Sequence, residues 1–239
     1  MTRRRWIADD VQGNIAALTG EHASHLSRVL RAQIGQEFDI ATDDAVRRGT
    51  ITSISDERVE FALGDKVMVK TSAKLTLVLA IFKFDRMEWA IEKCTEIGVA
   101  RIIPVVARRT DAHLAAAAVK RRERWLRIAR QAAEQSRRAV PPEILAAIKL
   151  KDIGSVLGGS DAIPRIVLAE SEDEQRLRDV LRPSAAEAVL AIGPEGGWTD
   201  EELLWFGQSG WTTASLGNNI LRAETAAIVA GALALDTLR

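Results

Sequence analysis

Between Arg5 and Val69 the apolar positions come in short alternating runs. Glu37-Phe-Asp-Ile40, Arg48-Gly-Thr-Ile-Thr-Ser-Ile54 and Arg58-Val-Glu-Phe-Ala-Leu63 have the period of strands with one face buried. Gly35, the Thr42-Asp-Asp44 turn, Gly49 and Asp56-Glu57 supply the breaks between them, and a small β-barrel is expected. Within it, Glu21 to Arg31 predicts a helix that places His25, Arg28 and Arg31 within reach of one face. Near residues 70 to 74 the pattern changes to longer β–α alternation, so the chain divides into domains at 1–72 and 73–239. The second domain is α/β. Leu75 to Phe82 is a nearly continuous apolar run, as expected of a strand covered on both faces of a parallel sheet. Asp85 with Glu88 predicts the start of a helix whose Met87, Ile91, Cys94 and Ile97 share a face, with Gly98 at its end. Arg101 to Val106 is the next strand, Val119 to Arg138 a long helix seated by Trp125, Ile128 or Ala129, and Ala132, and Lys151 to Leu157 a short one. Arg165 to Glu170 predicts a third strand, followed by a polar helix.

The last third of the chain carries the sharpest local signals. Val189 to Ile192 has strand length, Gly193 to Gly197 is a glycine loop, and Thr199 with Glu202 has the spacing of a capping box. A second strand is expected to end at Ser215-Leu-Gly217 and to lead through a loop into the final helix at Glu224. Two adjacent strands would then end in glycine loops. Such loops let a ligand approach the backbone and leave amides free to donate, which suits a nucleotide-like molecule. One loop alone would read as an ordinary β–α turn. Glu224 to Leu238 is apolar almost all round and too short to span a bilayer, so deep burial or a subunit interface is expected.

Composition narrows the partners. Lys+Arg and Asp+Glu balance at 33 each, so nucleic-acid binding has to rest on local patches. The predicted 119–138 helix is such a patch, with Lys120, Arg121, Arg122, Arg124, Arg127, Arg130, Arg137 and Arg138 against Glu123 and Glu134; a merely solvated face is the competing reading. The single cysteine, Cys94, excludes an internal disulfide and fits a reducing cytoplasm. Neither a signal peptide nor an apolar run of about 18 residues is present, which argues against a membrane. His22 and His25 have only His113 to complete a metal site, and no metal is expected.

His25-Leu-Ser-Arg-Val-Leu-Arg31, Asp85-Arg-Met-Glu-Trp89 continuing to Glu92-Lys-Cys-Thr-Glu-Ile-Gly-Val99, Glu134-Gln-Ser136, Gly193-Pro-Glu-Gly-Gly197 and Leu216-Gly-Asn-Asn-Ile-Leu-Arg-Ala-Glu-Thr-Ala226 occur here in one order. In that combination the chain resembles, over essentially its whole length, the bacterial 16S ribosomal RNA uridine N3-methyltransferases. The resemblance implies a SPOUT-type parallel-sheet domain with a trefoil knot, preceded by a PUA-like β-barrel that helps bind RNA. It implies S-adenosyl-L-methionine as cofactor, held among loops 168–171, 193–198 and 215–221. Leu168, Glu170, Gly193, Pro194, Glu195, Gly196, Ser215, Leu216, Gly217, Ile220 and Leu221 are the binding residues so implied. Asn218-Asn219 departs from the family, which usually carries an arginine there. Arg222 is the candidate cation for charge developing on the uracil, and Glu195 or Glu224, or a water held by them, the candidate proton acceptor; a loop-bracing role for Glu195 and a helix-start role for Glu224 are the competing readings. Arg3, Arg4, Arg5, His25, Arg28, Arg31, Arg130, Arg137 and Arg138 are the expected RNA contacts, with 16S ribosomal RNA or the small subunit as partner and a homodimer as assembly. A non-catalytic or differently targeted RNA-binding member of the same fold is the alternative. A dinucleotide oxidoreductase fits poorly, because its glycine fingerprint should follow the first strand of the domain.

Overall fold

The computed structural model describes residues 5–42, 45–68, 73–158, 162–183 and 185–238. The chain forms two compact units, residues 1–71 with 133–140 and residues 72–132 with 141–239.

The first unit is built on six strands: β1 (Arg5–Ile7), β2 (Asp10–Gln12), β3 (Ile15–Thr19), β4 (Glu37–Ala41), β5 (Val46–Ile54) and β6 (Arg58–Lys66). They run in the order β1-β4-β5-β6-β3-β2, antiparallel except for the β1–β4 pair. The sheet curls over one core containing Trp6, Leu18, Leu26, Ile40, Ile51, Val59 and Phe61, the last four of which the alternating runs had pointed inward. Gly49 lets β5 pass this core closely, since a Cβ there would lie 2.5 Å from Ile40 Cγ1.

The helix expected over Glu21 to Arg31 is not continuous. α1 (Gly20–Ser24) passes into a single π-turn, His25–Val29, and Arg31 has φ 49°. The wider turn and the left-handed residue bring the chain back on itself. Leu26 and Ala32 thus both reach the core, and the Ala32 amide donates to the Leu26 carbonyl at 3.1 Å.

The second unit has a wholly parallel sheet of β7 (Lys74–Ala80), β8 (Arg101–Val106), β9 (Glu143–Ile144), β10 (Ile148–Lys149), β11 (Arg165–Leu168), β12 (Glu187–Ile192) and β13 (Thr212–Ala214). Its order is β10-β8-β7-β12-β11-β13, with β9 also on β8. Strand β7 explains its own apolar run. Leu75, Leu77 and Leu79 enter a core with Met87, Ile91, Trp125 and Ala227, whereas Val78 and Ala80 enter another with Trp198, Phe206 and Trp211.

The helices are α2 (Phe84–Ile97), α3 (Ala112–Gln135), α4 (Ile153–Leu157), α5 (Leu177–Val180), α6 (Asp200–Gln208) and α7 (Ala223–Thr237). Lys83, not Asp85, is the N-cap residue of α2, and Asp85 only adds negative charge to the first turn. α3 begins earlier than expected, at Ala112, because the run Ala115 to Ala118 is strongly helix-forming. It ends at Gln135, leaving Arg137, at φ 60°, and Arg138 beyond it. Gly231 lets α7 pack closely on α2, where a Cβ would sit 2.9 Å from Ile97 Cδ1. The outer side of α7 leaves Val229 and Leu233 exposed.

The two glycine-loop strands, expected to be neighbours, are not. β11 lies between β12 and β13 and pairs with both, so the loop after β11 stands between the two glycine loops at that end of the sheet. The strands also stop short of the expected ends: β11 at Leu168 rather than Glu170, and β13 at Ala214 rather than Gly217. The polar helix expected after Glu172 is the single turn α5.

Candidate active site

The loops at the carboxyl ends of β11, β12 and β13 converge on a cavity of about 470 Å³. This is the end of a parallel sheet at which crossovers leave room for a ligand. Of the expected donor-binding residues, Leu168, Glu170, Gly193, Pro194, Glu195, Ser215, Leu216, Gly217, Ile220 and Leu221 line it. Gly196 does not: it faces Arg109, whose Nη1 donates to the Gly196 carbonyl at 2.5 Å. Ile220, expected in an apolar pocket, is 81% exposed and stands at the rim, because among the described residues no element packs over it in the loop before α7.

Local chemistry holds the loops. Trp198 Nε1 donates to the Leu168 carbonyl at 3.1 Å and ties the second loop to the end of β11. The same indole lies over Gly193, where an added Cβ would be 3.3 Å from Nε1. The capping box forms as its spacing implied, with Thr199 accepting from the Glu202 amide and the Glu202 carboxylate accepting from the Thr199 amide at 2.9 Å. Buried Glu202 also accepts from the Arg108 amide at 2.8 Å, which fixes α6 to the turn after β8.

The candidate catalytic residues occupy three different environments. Glu195 lines the cavity, and its Oε1 accepts from Arg86 Nη1 at 2.6 Å. Glu224 lies in the first turn of α7, buried and outside the cavity wall. Arg222, the N-cap residue of α7, lines the cavity, and its guanidinium is exposed with no ion-pair partner among the described residues. Sequence reasoning missed Arg86 and Arg109, both of which line the cavity. Each follows the carboxyl end of a parallel strand, β7 and β8 respectively, and that position was the available signal.

The expected RNA contacts are more scattered. Arg3 and Arg4 lie outside the described residues. Arg5 is not a free surface cation: its side chain is 14% exposed, pairs with Asp39 and donates to the Arg137 carbonyl. His25 is exposed, its ring 5.8 Å from that of Trp6. Arg28 is exposed but pairs with Asp56 at 2.6 Å, which holds the Asp56 carboxyl below its usual range, while Arg31 is exposed. Arg130 and Arg138 are half-buried, Arg137 is exposed, and burial lowers the pKa of Arg138. The outward-facing row expected on α3 is partly spent on the protein itself. Arg124 and Arg121 pair with Glu88 at 2.7 and 3.6 Å, Arg121 lies over the Phe84 ring, and Arg122 donates to the Ile144 carbonyl. Cys94 is buried as its helix face implied, and burial pushes its thiol up to about 12.

A doubly covered parallel sheet with three convergent loops at its carboxyl edge, carried with a curled, mostly antiparallel unit, defines an α/β protein built to hold a small ligand in its second unit. Residues 69–235 match the RNA methyltransferase domain family. A protein of Synechocystis, Ribosomal RNA small subunit methyltransferase E, is 32% identical over 216 residues, covering 89% of this chain and 70% of its own. The protein of that name from Rickettsia conorii is 30% identical, with 90% of this chain and 87% of its own covered. The crystal structure of a Ribosomal RNA small subunit methyltransferase E from Neisseria gonorrhoeae bound to S-adenosyl methionine is similar at a TM-score of 0.84 and 26% identity, with 97% of this chain and 96% of that chain covered. The chain belongs to the RNA methyltransferase family, and within it to the ribosomal RNA small subunit methyltransferase E group.

Proposed function

We propose that the protein methylates N3 of a uridine in 16S ribosomal RNA, with S-adenosyl-L-methionine as donor. The observation that carries this is the convergence of the loops after β11, β12 and β13 on one cavity of about 470 Å³. The residues fit the donor. Leu168, Leu216 and Leu221 offer an apolar wall for adenine, and Gly193 and Gly217 let backbone groups come close. The bound donor supplies an electrophilic methyl group on a sulfonium.

The chain's own residues divide the remaining work. N3 of uracil lies on the Watson–Crick edge and carries a proton, so the base has to be unpaired and turned out of its stack. Arg222, uncommitted at the cavity, is the cation for the negative charge that grows on the ring. Glu195 is the better proton acceptor of the two carboxylates, because it lines the cavity and Glu224 does not. The first unit, residues 1–71 with 133–140, acts as a PUA-like RNA-binding domain, and the second is a SPOUT domain with a trefoil knot. The enzyme works in the cytoplasm without a metal and as a homodimer; exposed Val229 and Leu233 on α7 support the pairing, and sedimentation reads it.

Titration calorimetry with S-adenosylmethionine and mass spectrometry of ribosomal RNA incubated with protein and donor test the proposal. Donor binding with a methyl group on any position other than uridine N3 would overturn the specificity, and absence of donor binding would overturn the function.

A further inference from the structure

One side chain outside the groups assigned above joins three of the elements around the cavity. Arg86, in the first turn of α2, lines the cavity and places Nη1 2.6 Å from Glu195 Oε1 on the loop after β12. Its Nε lies 3.9 Å from Glu224 Oε1 at the start of α7. The two carboxylates differ in their surroundings. The Glu224 side chain is 6% exposed, and its Oε2 has no hydrogen-bond partner among the described residues. A buried carboxylate is stable only beside compensating positive charge, supplied here by Arg86 and by the amino end of α7. Glu195 is 36% exposed, and among the described residues only its Oε1 is engaged.

We propose that Arg86 is a positioning residue. Braced by buried Glu224, it holds Glu195 by Oε1 and leaves Oε2 to receive the N3 proton. This rests on the methyl-transfer function proposed above. In the step served, the N3–H bond breaks and its proton passes to Glu195; the ring nitrogen forms its bond to the methyl carbon as the carbon–sulfur bond breaks, and sulfur leaves as a neutral thioether. A planar guanidinium can address both carboxylates through separate N–H groups, whereas an ammonium acts as a point charge.

The test uses full-length R86K, E195Q and the R86K/E195Q double variant, with turnover, donor KM, donor affinity by calorimetry and thermal unfolding measured for each. R86K keeps a cation beside Glu224 and should retain the fold and donor affinity within about threefold, while kcat falls by about tenfold or more. In the E195Q background the same Arg86 change should have little further effect, within about twofold, because the group it positions is gone. Three results would overturn the role: R86K turning over like wild type, a loss confined to donor KM and affinity, or an equal loss with and without Glu195. A wild-type protein that binds no donor sinks the function itself, whereas an active wild type with an unimpaired R86K sinks only Arg86.

Discussion

Arg176 Nη2 donates to Asn218 Oδ1 at 2.5 Å, joining the segment before α5 to the third loop of the cavity. The two segments run side by side: the Ser215 amide donates to the Gln175 carbonyl at 2.8 Å, and the Leu177 amide to the Ser215 carbonyl at 2.9 Å. Gly217 sits between these contacts at φ 136°, where an added Cβ would lie 3.0 Å from Arg176 Nη1. Gly217→Ala is therefore opposed by both backbone conformation and a side chain. Its cost should be about 1–3 kcal/mol, and donor affinity, read by calorimetry, should fall about tenfold or more. Adding Arg176→Ala relieves the crowding but not the backbone, so the double variant should recover only part of the affinity. Full recovery would mean that φ at this position is unimportant.

Asp56 restrains a cation that the RNA is expected to use. Its carboxylate accepts from Arg28 at 2.6 Å and from Ser27 at 2.9 Å, and those hydrogen bonds hold its pKa below the ordinary carboxylate value. Both partners of the ion pair are well exposed, so breaking it should leave stability nearly unchanged. Asp56→Asn removes a negative charge and frees Arg28 for phosphate. RNA affinity should rise about two- to tenfold at low salt, with a steeper salt dependence. Filter binding across a salt series checks this, and unchanged affinity would take Arg28 off the RNA surface.

The sequence pattern was most legible where one strand or helix sufficed. The run Leu75 to Phe82 announced a strand covered on both faces, and Thr199 with Glu202 announced the start of α6, because both depend on neighbours along the chain. The interposition of β11 was not legible, since strand order is set by how crossovers pack rather than by any local period. Arg86 and Glu195 lie 109 positions apart, and no spacing rule connects them. Arg5 was read as a surface cation from its basic neighbours, yet Asp39 on the paired strand β4 and the Arg137 carbonyl claim it. Charge counted along a sequence overstates a patch whenever tertiary partners absorb it.

Cys94 gives a pH prediction with a defined sign. Its thiol titrates near 9.0 in the absence of burial and at about 12 in the fold. Above 9.0 the unfolded chain loses this proton while the native protein keeps it, so the native state binds more protons. This contribution is fully present below 9.0 and declines as pH rises toward about 12. Cys94→Ala should be less stable at neutral pH because it leaves a small void, but should lose stability less steeply above pH 9.0. Denaturant melts of both proteins across that range isolate the difference. A thiol reagent should leave native Cys94 unmodified at pH 8 and label it after unfolding, at about the rate of an ordinary cysteine.

Arg222 separates donor binding from chemistry. It is the N-cap residue of α7, supplies no side-chain cap bond, lines the cavity, and pairs with no acid among the described residues. A cation kept uncommitted beside the cavity costs little to reorganise when negative charge develops on a substrate, which is the condition for electrostatic stabilisation of a transition state. Arg222→Ala should accordingly fold and bind S-adenosylmethionine within about threefold of wild type, while kcat on ribosomal RNA drops by about 10²–10³-fold. Arg222→Lys, which keeps the charge but loses the planar fork, should fall between the two. Single-turnover assays with saturating donor and RNA make the distinction, because they remove binding from the measured rate. Near wild-type rates for Arg222→Ala, with donor affinity unchanged, would exclude the arginine from the chemical step and leave the uracil's charge to be met by Arg86 or Arg109, the other arginines lining the cavity.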